Sequence, residues 1–539
     1  MYKVLIIALL VGVCSLAKAQ TEGAPDNSAF ILTPPAPKSP LVNCAKVFGA
    51  RPGSVFQFLA ATSGERPMTF VAEGLPKGLK IDAQSGLITG SVKKRGEYSV
   101  KITARNSFGE DSRTVRIKIG DEIALTPPMG WNSWNCWGKT VSQERVMSSA
   151  RAMIDKGLIN YGWTYINIDD GWQGIRGGKY NAIQPNRRFP DICGLSDTLH
   201  AHGLKMGIYS SAWVGTFGGH IGSTCPNADG TYPWIMAGRH NDIYRISDST
   251  DIDGDRISWA NHYYGQYSFA DNDARQWADW KVDYLKYDWY PNDYYHVREM
   301  HESLRRQKRD IVYSLSGIVL YANAPVWAEY TNCYRTTGDI FDNWSSLYEI
   351  GFQEQTRWTG FNRPGHWADP DMLIVGMVGW GDKLHYTHLT PDEQYTHITL
   401  WALLSAPMLI GCDMAQLDPF TISLLCNREV NDIDQDPLGI QAYPVVKDGN
   451  KQVWVKQLEN GSLAVGLFNV GQESAAISFK PKDFGIFGKQ TVRDVWRQQD
   501  VAEVNDSETY ESTIAPHGCR LLVISPGNTR EKTYKVVEN

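Results

Sequence analysis

The sequence predicts a multidomain chain whose centre is a (β/α)8 TIM barrel, flanked on each side by a β-sandwich. Three observations predict it. Short apolar runs alternate with amphipathic stretches over residues 124–437. Eight of those runs are strand candidates, the number a closed barrel requires. Strict apolar–polar alternation, the mark of half-buried strands, fills residues 41–120 and returns over 438–526.

In chain order, Met1–Ala19 has a basic start, a short apolar run and an Ala-x-Ala end, which predicts a signal peptide cleaved after Ala19 and a secreted or periplasmic protein. The run is too short to span a bilayer, and no later stretch reaches that length. Cleavage removes Cys14 and leaves eight scattered cysteines with no Cys-x-x-Cys pair, which argues against a zinc site or a dense disulfide framework. Residues 20–40 are rich in Pro, Ala and Ser and are expected to be a linker. Residues 41–120 form a small sandwich. The stretch Gly74-Leu-Pro-Lys-Gly-Leu-Lys-Ile-Asp resembles the immunoglobulin-like modules found beside bacterial glycosidases. Its expected role is that of a spacer, with sugar binding as the alternative.

The barrel strands are expected near Met129–Trp134, Thr164–Ile168, Lys205–Tyr209, Asp283–Tyr287, Ile311–Leu315, Tyr334–Thr337, His366–Ala368 and Pro407–Ile410. Helices are expected over Glu144–Ile159, with Val146, Ala150, Met153, Ile154 and Leu158 on one face, and over Asp392–Leu404. Residues 438–526 make the C-terminal sandwich, and 527–539 a polar tail.

A net charge of −6 argues against nucleic acid as a partner. The 19 Trp, 26 Tyr and 17 Phe suit sugar faces, and suit a large core equally well. More specific are the polar residues at the C-terminal ends of the strands, where barrel active sites lie. In strand order these are Trp134, then Asp169 and Asp170, Tyr209, Lys286 with Asp288, Ser316, Arg335 with Asp339, and Asp371. Carboxylates accept from sugar hydroxyls, cations donate to them, and Trp covers an apolar ring face. Two carboxylates on different strands can divide glycoside hydrolysis between them; some could instead be helix caps or ion-pair partners.

Six motifs occur in order: Leu125-Thr-Pro-Pro-Met-Gly-Trp-Asn-Ser-Trp, Ile168-Asp-Asp-Gly-Trp, Gly203-Leu-Lys-Met-Gly-Ile-Tyr-Ser, Val282-Asp-Tyr-Leu-Lys-Tyr-Asp-Trp, Arg335-Thr-Thr-Gly-Asp-Ile and His366-Trp-Ala-Asp-Pro-Asp-Met-Leu. Together they resemble glycoside hydrolase family 27, the α-galactosidase and α-N-acetylgalactosaminidase group. The resemblance implies a retaining exo-glycosidase acting on terminal α-D-galactopyranosides in oligo- or polysaccharides, with Asp288 as nucleophile and Asp339 as acid/base. It implies that Asp169 and Asp170 bind the 4- and 6-hydroxyls, Lys286 ring hydroxyls, Arg335 the 2-hydroxyl and Trp134 the sugar face. Tyr209 and Asp371 match pocket positions, and Ser316 falls where the 2-substituent is read. β-L-Arabinopyranosidase and α-N-acetylgalactosaminidase activities remain alternatives on the same site, and a non-catalytic sugar-binding protein a remote one.

No cofactor or metal is expected in the reaction, since both reacting groups are protein carboxylates. Asp251-Ile-Asp-Gly-Asp255 hints at calcium but lacks the closing Glu of an EF-hand and is expected to be a solvated loop. Lys286, two residues before Asp288 on one strand face, is expected to favour the ionised form of Asp288. Asp283, at the other end of that strand, is expected to be structural, and Arg245-Ile-Ser-Asp248 to be a loop imitation of the Arg–Asp motif. The chain also departs from the family. Cys225 could be the first half of a frequent family disulfide, but position 290 is Tyr, so the bridge is expected to be absent. The long segment 213–268 is expected to wall the leaving-group side.

Overall fold

The structure is a computed structural model that describes residues 23–232 and 262–526. The N-terminal module packs a four-stranded sheet against a three-stranded one. Its long hairpin, Gly96–Asn106 with Gly109–Ile119, shows why. Val100, Ile102 and Ala104 face Val115, Ile117 and Ile119 inward and are almost wholly buried, while the residues between them point out.

The barrel strands are β1 (Met129–Asn132), β2 (Tyr165–Asn167), β3 (Lys205–Ser210), β4 (Tyr284–Asp288), β5 (Val312–Ser316), β6 (Cys333–Arg335), β7 (Trp367–Asp369) and β8 (Met408–Ile410). Each of β1 to β6 pairs in parallel with the next, and β8 pairs with β1. Leu373, just beyond β7, closes the ring on β8: its N–H donates to the Leu409 carbonyl (2.8 Å) and its carbonyl accepts from Gly411 N–H (2.9 Å). All eight expected strands are present within a few residues of their expected limits. Parallel strands are covered on both faces, so they read as unbroken apolar runs.

One expected helix is shorter than its pattern. It spans Gln143–Asp155, capped by Ser142, and stops before Leu158 because Gly157 takes a left-handed φ of 81° and starts a short 3-10 turn. The helix Pro391–Leu404 begins in a capping box between Thr390 and Glu393 and is buried all round, as a helix wedged between the barrel and the C-terminal sandwich must be. That sandwich lays a six-stranded sheet against the pair Ala475–Phe479 and Tyr510–Ile514. The Pro/Ala-rich leader is no free linker where it is described. The Tyr395 hydroxyl accepts from Leu32 N–H (3.0 Å) and donates to the Phe30 carbonyl (2.8 Å), pinning the segment to the barrel. Among the described residues no helix is long and apolar enough to cross a membrane.

The N-terminal module docks on the N-terminal end of the barrel. Arg51 donates to the carbonyls of Arg305, Gln307 and Arg309 and pairs with Asp310; Gln57 reaches the Leu204 carbonyl, and Arg113 forks onto Asp432. The module therefore sits at the opposite end from the strand termini that carry the polar residues.

Candidate active site

A cavity of about 290 Å³ opens at the C-terminal ends of the strands. Trp134, Asp169, Asp170, Tyr209, Lys286, Asp288, Ser316, Arg335 and Asp339 all line it. Strand register explains the convergence: Tyr209 stands beside Lys286, Asp288 beside Ser316, and Arg335 beside Asp369 on neighbouring strands. Asp371 is the exception among the expected residues. It stands behind Arg335, with its Oδ1 3.0 Å from Arg335 Nη1.

The floor is a network of ion pairs. Lys286 Nζ donates to Asp169 Oδ2 (2.9 Å), which also accepts from Asn132 Nδ2 (2.8 Å). Burial works against the Lys286 charge, but Asp169 and Asp288 outweigh it and hold the ammonium protonated. Asp170 accepts from Thr216 Oγ1 (3.0 Å) and Gly218 N–H (2.5 Å) and lies 3.2 Å from His220 Nδ1. Asp371 has a φ of 101°, a costly conformation for a residue with a side chain. Three hydrogen bonds hold it there: from its N–H to Asp369 Oδ1, from Trp401 Nε1 to its carbonyl, and from Ile340 N–H to its Oδ2.

The two candidate reacting carboxylates differ. Asp288 is partly buried and accepts a hydrogen bond from the Tyr209 hydroxyl (3.1 Å). Desolvation pushes its pKa up to about 6, against the opposing pull of Lys286. The expected pull of Lys286 towards the ionised form of Asp288 is present, but its ammonium is bonded to Asp169 and burial outweighs it. Asp339 sits at the rim with its side chain 63% exposed. Desolvation there is outweighed by Arg335, 3.2 Å away, and by Lys286, so its pKa is lowered.

Phe217 completes the wall, and together with Thr216, Gly218 and His220 it comes from the segment after β3. None of these four was singled out from sequence, because only the return of the loop brings them to Asp170. Asn132 could have been found: it lies inside the first motif, at the end of β1. Residues 233–261, which include Asp248 and the 251–255 loop, lie outside the described residues. All eight described cysteines are unpaired, Cys225 among them, and Tyr290 lines the cavity where the family disulfide would fall.

A barrel with two carboxylates at its mouth, set among cations and aromatic rings, defines the class of glycoside hydrolases that work through paired acids. The sequence profile of alpha galactosidase A matches residues 126–231 and 252–436; that of the alpha galactosidase C-terminal beta sandwich domain matches 448–524, and an Ig domain profile matches 39–120. The chain belongs to the alpha galactosidase A family. Alpha-galactosidase 2 of Arabidopsis thaliana is 34% identical over 77% of this chain and 93% of its own. A Bacteroides fragilis structure, an alpha-galactosidase/melibiase candidate, superposes with a TM-score of 0.77 at 32% identity and covers 90% of this chain and 98% of its own. The GH27 β-L-arabinopyranosidase of Geobacillus stearothermophilus has a TM-score of 0.63 at 27% identity, covering 76% and 98%.

Proposed function

We propose that the protein is a retaining exo-α-galactosidase that hydrolyses terminal α-D-galactopyranosides through a covalent glycosyl-aspartate. The observation that carries this is the meeting, in one small cavity, of a partly buried carboxylate, Asp288, and a rim carboxylate, Asp339, around a lining of hydroxyl-binding groups. A cavity of that size suits one sugar ring, which supports removal of a terminal residue.

In the first step a carboxylate oxygen of Asp288 attacks the anomeric carbon. The glycosidic C–O bond breaks, and Asp339 gives its proton to the departing oxygen. In the second step Asp339, now ionised, takes a proton from water. The water oxygen attacks the same carbon, Asp288 leaves, and the α configuration is restored. Tyr209 orients Asp288 through its hydroxyl. Lys286 and Asp169 meet ring hydroxyls, Asp170 the 6-hydroxyl, Arg335 the 2-hydroxyl, Ser316 the 2-substituent side and Trp134 the apolar face. Asp371 positions Arg335 and does not touch the sugar.

The open pocket favours a proton on Asp288 over Asp339, opposite to what the first step uses. A bound glycoside covers the exposed Asp339, and desolvation then raises its pKa towards the protonated form.

The test is a panel of aryl glycosides: α-galactoside, β-L-arabinopyranoside and α-N-acetylgalactosaminide. The α-galactoside should give the highest kcat/KM, and NMR of its first-formed product should show α-galactose. A preference for either other sugar would reassign the substrate, and initial β-galactose would overturn the retaining mechanism. The Met1–Ala19 segment supports export, and N-terminal sequencing of the mature protein should begin at Gln20.

A further inference from the structure

Three residues beyond Asp339, the loop after β6 carries Asp342, which is buried. Its Oδ2 faces two imidazoles from a distant part of the chain: His388 Nδ1 at 2.9 Å and His385 Nδ1 at 3.7 Å. The rings are stacked 4.6 Å apart at 18°, and one potential ligand atom from each of the three residues lies within 4.8 Å of the others. His388 N–H donates to the same Asp342 oxygen (3.1 Å), which fixes the carboxylate facing the rings. His385 belongs to a short hairpin, His385–Tyr386 with Met377–Val378, in the excursion between β7 and β8. None of the three lines the sugar cavity.

We propose that Asp342, His385 and His388 bind one zinc-class divalent cation, which ties the loop bearing Asp339 to the β7–β8 excursion. Two imidazole nitrogens and one carboxylate oxygen are the donor set of a three-ligand zinc site. At metal–ligand distances of about 2.0–2.2 Å, tetrahedral ligand atoms lie about 3.3 Å apart, so the observed spacing needs only small side-chain rotations. Metal would replace the contact that His385 Nδ1 shares with the Tyr386 carbonyl (3.0 Å). The His388 side chain is 69% exposed and that of His385 36%, which leaves an entry path and a fourth position for water. Calcium and magnesium are poor fits, since both take mostly oxygen ligands and more of them. The tether does not depend on which sugar the neighbouring cavity takes.

The experiment uses full-length protein stripped by chelator and dialysed, then titrated with Zn2+ alone by calorimetry. About one zinc per chain should bind, and His385→Ala, His388→Ala and Asp342→Asn should each weaken binding by at least about tenfold. Both histidines are at least partly exposed, so their variants should keep the fold, checked by circular dichroism. Co2+ in place of zinc should give visible d–d bands without a thiolate charge-transfer band, which separates this site from the exposed Cys193. A His385→Ala/His388→Ala double variant that binds zinc as tightly as the parent would overturn the site. So would a thiolate band, or displacement of zinc by equimolar Ca2+.

Discussion

Asp283 immediately precedes the strand β4 and Asp288 ends it, and the molecule treats these two carboxylates in opposite ways. Asp283, at the N-terminal end, is saturated: it accepts from Arg309 Nη2 (2.5 Å) and Met206 N–H (3.0 Å) and lies 2.7 Å from His200 Nε2. Burial alone would raise its pKa, but Arg309 and His200 pull it below the ordinary value. Asp288, at the C-terminal end, has among the described residues one hydrogen bond, from a neutral phenol, and a raised pKa. Its cationic neighbours are committed elsewhere, Lys286 to Asp169 and Arg335 to Asp371. A carboxylate whose lone pairs are all engaged holds the fold together; one left short of partners is available to react.

The sharpest way to break this contrast is to compare the two substitutions in turnover. Asp288→Ala should lower kcat by at least about 10⁴-fold on every glycoside, because no covalent intermediate can form. Asp283→Asn should leave kcat of the folded enzyme within a few fold of the parent. Equal losses in steady-state assays would erase the distinction. Asp339→Ala should behave differently from both. With a good leaving group the first step survives and the second slows, giving a burst of aglycone and then slow turnover that azide accelerates, with α-galactosyl azide as product. If Asp288→Ala shows that burst and Asp339→Ala does not, the two roles are exchanged.

The same contrast sets the pH response. On the proposed mechanism, kcat/KM of the parent needs Asp288 ionised and Asp339 protonated. With Asp288 near 6 and Asp339 below its ordinary value, kcat/KM should fall as pH rises above about 6, because the protonated fraction of Asp339 keeps shrinking while Asp288 gains nothing further. In Asp339→Ala, assayed by its burst rate, only Asp288 matters, so the rate should instead rise with pH through a value at or somewhat below 6. A parent profile that climbs from pH 6 to 8 would contradict this electrostatic order.

Stability should sharpen the comparison further. Asp283→Ala strands Arg309 and should cost about 3–5 kcal/mol in denaturant titrations. Asp283 has a depressed folded pKa, so its contribution is present at neutral pH and is lost as pH falls through that pKa. Asp288 has a raised folded pKa, so its ionisation costs the fold stability as pH rises from 3.8 through about 6. Asp288→Asn should therefore be more stable than the parent at pH 7.5, by on the order of 1–2 kcal/mol, and no more stable at pH 3.5. At the bottom of the scale, the surface pair Arg145–Asp382 should contribute less than about 1 kcal/mol in a double-mutant cycle.

The barrel was legible because each strand is a short run buried on both faces, and the carboxylates because they sit at strand ends inside dense local motifs. What sequence did not reveal depends on chain returns. Thr216, Gly218 and His220 hold Asp170 from a loop whose path has no periodicity. The helix end at Asp155 was overrun because Leu158 keeps the helical spacing after Gly157 has turned the backbone. Phe30–Leu32 reads as linker because its partner, Tyr395, is more than 360 residues away. Asp342 and His385 share the same difficulty, since nothing local relates an Asp after β6 to imidazoles beyond β7.

Arg51 has a consequence for modularity. Its guanidinium meets three carbonyls in the turn that ends the helix Tyr294–Arg305 and leads into β5. One belongs to the last helical residue, Arg305, and two lie just past the helix, and all three are capped by a residue from another domain. The catalytic barrel is therefore not a cassette that can be cut free at residue 124. A shortened version leaves a helix terminus uncapped and bares the surface around Leu125, Met129 and Tyr165 that faces Phe48 of the first domain. Anyone grafting this barrel onto another scaffold would have to supply a substitute for one arginine before altering anything at the mouth.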